Sequence, residues 1–163
     1  MASQFVKRIV VGVDGSAHSA AALDWAIGLA KLAGAEVIAV HGLYIPVYAA
    51  TGYAPVLQFD PEWRKQMRQA FEEWCEPLTS SEVPYRTIFR EGRPASVLMD
   101  AADSLQADLV VVGRRGRGSL VELMLGSVSH ELSHHCKQPV VVISHPAQLA
   151  AVEAPADEVA ALR

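Results

Sequence analysis

Short β-branched and apolar runs recur along this chain, each separated from the next by a segment with helical spacing. They occupy residues 8–13, 36–41, 84–90, 108–112 and 139–144. Runs such as Leu109-Val110-Val111-Val112 show no polar alternation, so a strand built from them has to be covered on both faces. Strands of that kind joined through helices form a parallel sheet with helices on both sides. The expectation is a single α/β domain around an open five-stranded parallel sheet, in the order 3-2-1-4-5. Ligands of such sheets sit beyond the carboxyl ends of the strands, where the strand order reverses. In this order the first and fourth strands flank that point. The loops that follow them, Asp14-Gly15-Ser16 and the glycine-rich stretch after Val112, are the places to look.

The intervening segments carry helix punctuation. Ser16 is placed to cap a helix whose inward face holds Leu23, Ile27 and Ala30, and Gly34 is placed to end it. Asp60-Pro61 reads as an N-cap followed by proline at the first helical position, with Trp63, Met67, Phe71 and Trp74 as a core-facing stripe. Gly92-Arg93-Pro94-Ala95 turns into a helix with Leu98, Ala101 and Leu105 inward. A last helix should run to about Lys137, preceded by a short turn at Leu120 to Leu123. The connection over residues 43–59 carries Tyr44, Pro46, Tyr48, Gly52, Tyr53 and Pro55; its length suits a lid, a binding loop or a packed surface loop. Residues 1–145 read as the domain, and the alanine-rich stretch 146–163 as a mobile tail.

Charge and cysteine usage exclude several classes. A net charge of −4 speaks against a general nucleic-acid binder. The concentrated basic site is Arg114, Arg115 and Arg117, too few for a nucleic-acid footprint and enough for a polyphosphate. No apolar run approaches the length of a membrane span, and none precedes Asp14 as a signal peptide would, so a soluble cytoplasmic protein is expected. Cys75 and Cys136 show no disulfide or zinc spacing, and Cys75 beside Trp74 reads as a packed thiol.

Gly113-Arg114-Arg115-Gly116-Arg117-Gly118-Ser119 follows the fourth strand, and Gly126-Ser127 opens the next helix. Glycine brings backbone N–H groups close to an anion, and a helix start adds free donors and the positive end of a dipole. Two general nucleotide motifs fail here. The outline G-x-x-x-x-G-S lacks the lysine that meets the β/γ-phosphates, and the dinucleotide pattern has Val121 where its last glycine belongs.

The spacing that fits is Gly113, two residues, Gly116, nine residues, then Gly126-Ser127. Together with Val11-Gly12-Val13-Asp14-Gly15-Ser16, Gly92-Arg93-Pro94-Ala95 and Leu125-Gly126-Ser127-Val128-Ser129, it resembles the ATP-binding members of the universal stress protein family over residues 5–145. The resemblance implies a Rossmann-like fold of the adenine nucleotide alpha hydrolase type, with ATP and Mg²⁺ as cofactors. It implies Asp14 near the ribose and phosphates, directly or through the Mg²⁺ of the bound nucleotide. Gly42, just past His41, would offer backbone groups to the adenine with Val40 close by, although the family more often has a bulky apolar residue there. Gly113 and Gly116 would line the phosphate path, with Gly126, Ser127 and Val128 donating N–H groups. Arg114, with Arg115 and Arg117, is left to clamp phosphates or stay solvated. The resemblance also implies a homodimer in which fifth strands pair near Val140 and Ile143, covering an open edge. The implied role is regulatory, with ATP shifting conformation or partner choice. Cyclic AMP or another adenine nucleotide is the alternative ligand.

Two enzyme classes stand beside this reading. One is slow ATP hydrolysis, for which no residue is an obvious base. The other is a zinc metallopeptidase, because His130-Glu131-Leu132-Ser133-His134 spells H-E-x-x-H. It would need a third ligand, for which Glu153 and Glu158 of the tail are the candidates.

Overall fold

A computed structural model describes residues 5–44, 61–117 and 125–144. Asp60, most of the 43–59 connection, Ser119, the Leu120 to Leu123 turn and the 146–163 tail lie outside the described residues. Five parallel strands, β1 (Arg8–Gly12), β2 (Glu36–Leu43), β3 (Tyr85–Glu91), β4 (Leu109–Gly113) and β5 (Val140–Ile143), form one sheet in the order β3-β2-β1-β4-β5. The helices are α1 (Ala17–Ala33), α2 (Pro61–Trp74), α3 (Glu76–Thr79), α4 (Pro94–Ser104) and α5 (Ser127–His135).

The alternation of β-strand side chains divides the core in two. Ile9 and Val11 of β1, with Val13 just beyond it, join Val37 and Ala39 of β2 against α1, Phe71 and Leu78. Val10, Ile38, Val40, Val110 and Val112 point the other way, against Val97, Leu98 and Ala101 of α4 and Leu132 of α5. Both faces of the central strands are thus dry, which is why their sequence is apolar without alternation.

Local chemistry fixes the helix ends. Ser16 Oγ accepts the Ser19 N–H at 3.1 Å, and Gly34 takes a left-handed φ of 67° with its N–H on Ala30 O. Glycine at 113 lets the start of α1 approach the end of β4 closely: a Cβ there would stand 2.5 Å from the main-chain carbon of His18.

Three sequence expectations need correction. Gly42 lies inside β2, because β3 continues the ladder to Leu43↔Glu91. In the α2 stripe only Phe71 is buried; Trp63, Met67 and Trp74 are partly exposed. α5 stops at His135, where Cys136 turns extended ahead of Pro139 and β5.

Candidate functional site

Beyond the carboxyl ends of β1, β2 and β4 lies a cavity of about 640 Å³. Asp14, Val40, Gly42, Gly113, Gly116, Gly126, Ser127 and Val128 all line it. Arg114 is not among the lining residues, whereas Arg115 and Arg117 are. The main chain of Arg114 joins β5 to α5: its N–H donates to Ile143 O at 2.8 Å, and its carbonyl accepts from Gly126 N at 2.9 Å.

The turn after β1 is built around Asp14. Asp14 Oδ1 accepts the Ser16 N–H at 3.0 Å, and the Asp14 N–H donates to Ser19 Oγ at 3.2 Å. Gly15 takes φ 78° with the Trp74 ring where its side chain would be, 2.4 Å from an ideal Cβ. Asp14 Oδ2 faces Gly116 so closely that a Cβ there would stand 2.5 Å away. Glycine at 116 is therefore what admits the carboxylate to the loop after β4.

The start of α5 forms the opposite wall. Ser129 Oγ donates to the carbonyls of Arg114 and Gly126, each at 3.0 Å. The first intrahelical bond runs from His130 N to Gly126 O at 2.9 Å. The N–H groups of Ser127, Val128 and Ser129 precede it, so they are the donors a helix start offers to an anion.

The β2 wall is partly main chain. Val13 N–H donates to Val40 O at 3.0 Å, on the β1 side, whereas Leu43 O accepts from Gly92 N on the β3 side. Alternate residues of a strand address opposite neighbours, so the N–H and C=O of Gly42 point toward β1. The β1 ladder has by then ended at Gly12↔Val40, and those groups face the space beyond it. Pro94 Cα occupies the place of a side chain at 42, 2.6 Å from an ideal Cβ. In this chain the first turn of α4 takes the room that a bulky residue would need.

His41 and Ser19 also line the cavity, and the sequence marked neither. His41 Nδ1 lies 2.7 Å from Val13 O, an acceptor only, so that nitrogen carries the proton and Nε2 is left as an acceptor. The ring packs against Phe71, Trp74 and Phe89, and burial holds its pKa below the usual imidazole range despite the Val13 carbonyl and Asp14. Arg117 lies 4.6 Å over the Trp74 ring, so the glycine-rich loop, α2 and His41 form one contact chain.

The H-E-x-x-H residues lie on the exposed side of α5. His130 and His134 have ring centroids 4.6 Å apart, while Glu131 is paired with Arg93 at 3.2 Å. Among the described residues no three His, Cys, Asp or Glu side chains gather to hold a metal. None of the helices, among the described residues, is long and apolar enough to cross a membrane.

A parallel sheet in this order, with a glycine-walled cavity at the switch point, defines an α/β protein of the open, doubly covered type. The sequence profile of the Universal stress protein family matches residues 6–144, and the chain belongs to that family. It is similar to Universal stress protein YxiE of Bacillus subtilis, 35% identical over 83% of this chain and 97% of that protein. It is 37% identical to a Mycolicibacterium smegmatis universal stress protein over 83% of this chain, spanning 47% of that longer relative. The fold matches a universal stress protein from Archaeoglobus fulgidus in complex with dAMP, at TM-score 0.64 and 20% identity over 85% of this chain and 98% of that one. It also matches a universal stress protein in complex with cAMP, at TM-score 0.57 and 24% identity over 86% and 98%.

Proposed function

We propose that this protein is an ATP-binding regulatory module of the universal stress type. The observation that carries the reading is the convergence on one cavity of the unbonded start of α5, a side-chain-free glycine path and the Gly42 main chain. The adenine takes the apolar end beside Val40, Leu98 and Val112, with its edge on Gly42. The phosphates take Gly113, Gly116 and the N–H groups of Ser127 and Val128. Arg115 and Arg117 supply cationic help and favour a triphosphate over the monophosphates bound by the dAMP and cAMP relatives.

Mg²⁺ fits this arrangement. Asp14 has one carboxylate oxygen held by Ser16, and the other directed at the phosphate path, which suits a cation shared between one carboxylate and substrate phosphates. Mg²⁺ would there neutralise phosphate charge. The role proposed is nucleotide binding, with Asp14 engaged by the Ser16 N–H on one oxygen and by the cation on the other. β5 is an edge strand, and pairing with its counterpart in a second copy would cover it, giving a homodimer. A cytoplasmic setting suits such a module.

Calorimetric titration with ATP, AMP and cyclic AMP tests the reading. Gly126→Val should weaken ATP binding by a factor on the order of 100, because a branched side chain there crowds the phosphate donors. An unchanged affinity in that variant refutes it.

A further inference from the structure

The nucleotide cavity has a neighbour. Phe89 stacks on His41 with ring centroids 5.4 Å apart; His41 lines the first cavity, and Phe89 lines a second one of about 510 Å³. Arg64, Lys65 and Arg68 of α2 and Arg90 and Glu91 at the end of β3 complete its described lining. Four cations thus face one carboxylate, in a chain whose net charge is −4.

Among the described residues, the ion pairs of this lining leave that charge unbalanced. Arg64 Nη1 pairs with Glu91 at 2.9 Å, and Arg90 pairs with Asp100 at 3.0 Å. These two carboxylates offset two of the four cations, and the surplus is carried by Lys65 and Arg68. Arg68 is already oriented, its guanidinium 4.7 Å over the Phe89 ring. A second, independent observation points to a ligand. The Nε of Arg64 is buried and has no hydrogen-bond partner among the described residues. A donor withdrawn from water without an acceptor is costly unless something supplies one. Arg64 also stands in the first turns of α2, where the helix dipole favours an anion.

We propose that this second cavity binds a small organic phosphate ester, independently of the nucleotide cavity and separated from it by the His41–Phe89 wall. A phosphate monoester carries about two negative charges at neutral pH, which matches the surplus, and its oxygens suit guanidinium forks. The volume exceeds what a bare phosphate needs and leaves room for the organic part.

The test is a calorimetric titration of the full chain with glycerol 3-phosphate, and separately with inorganic phosphate. Three proteins are compared: the parent, Lys65→Gln/Arg68→Gln, and Gly126→Val. Both substituted cations are exposed, and thermal unfolding checks that the double variant stays folded; Lys65→Gln alone serves if it does not. The proposal expects saturable glycerol 3-phosphate binding in the parent and in Gly126→Val, weakened roughly tenfold or more by the Lys65/Arg68 change. Inorganic phosphate should bind more weakly than the ester. Absence of saturable binding overturns the proposal. So does loss in Gly126→Val with retention in Lys65→Gln/Arg68→Gln, which would place the phosphate in the nucleotide cavity. Equal binding of phosphate and ester overturns the assignment to an ester.

Discussion

Replacing Gly116 by alanine would move Asp14 while leaving the strands alone. The new Cβ would stand 2.5 Å from Asp14 Oδ2 and 3.7 Å from its Cγ, with no other described atom outside its chain neighbours within 4 Å. Asp14 would have to retreat by about 1 Å to reach ordinary contact, and its carboxylate is the far end of a side chain that can rotate. Rotation lengthens the 3.0 Å bond from Ser16 N–H to Oδ1. A hydrogen bond to a charged group is worth about 1.5–3 kcal/mol, with the lower end apt for this partly exposed site. Lower backbone entropy in the unfolded alanine variant returns about 0.4–1 kcal/mol. The net change in unfolding free energy should therefore be within about 1 kcal/mol. On the proposed binding mode nucleotide affinity should suffer more, because Asp14 would be withdrawn from the ribose and the Mg²⁺: about 1.5–3 kcal/mol, or roughly 10- to 100-fold in Kd. Urea unfolding and calorimetric titration with Mg·ATP measure the two effects separately. Adding Gly116→Ala to Asp14→Ala should then cost little further affinity, since both act through one carboxylate. An affinity within twofold of the parent in Gly116→Ala, or full additivity in the double variant, would refute this chain of reasoning.

Two further outcomes follow from titrating groups. Burial holds His41 below the imidazole value of 6.5, so the unfolded chain takes up this proton at a higher pH than the native one does. Stability should therefore be fully present above about pH 6.5 and fall on acidification through the window below it, until the native imidazole itself protonates. His41→Phe should flatten that slope between pH 7.5 and 5.5 in urea midpoints, and an unchanged slope would remove His41 from the account. The Cys75 thiol is buried and pushed up to about 12, so iodoacetamide should modify it only at the rate of unfolding; rapid labelling of the native protein would contradict this.

Much of the architecture was legible because it is written in short-range chemistry. Val110 and Val111 are apolar on both faces of their strand, Ser16 and Gly34 bracket α1, and Gly126 opens α5, each by a rule that acts within a few residues. What the sequence hid depends on distant partners. Gly42 is inside β2 because β3 runs on to Glu91, which no residue near 42 announces. The aromatic spacing of α2 resembles a core stripe, yet only Phe71 of it is buried, while Trp74 sits partly exposed at the core's edge and packs under Gly15 and Arg117. Helical periodicity reports a face, and cannot report that Trp63, Met67 and Trp74 stay partly exposed on it. His41 gave no signal because its role comes from Val13 and three rings distant in sequence. Among the three arginines of the loop, the turn geometry alone decides that Arg115 and Arg117, rather than Arg114, face the cavity.

The most direct test is a methyl NMR titration of valine-labelled protein with Mg·ATP. Val13, Val40, Val112 and Val128 line the proposed site, while Val10 is sealed in the core. Saturable shifts should concentrate at those four residues. Shifts confined to other valines, or a spectrum unmoved by ATP at millimolar concentration, would contradict the proposed site.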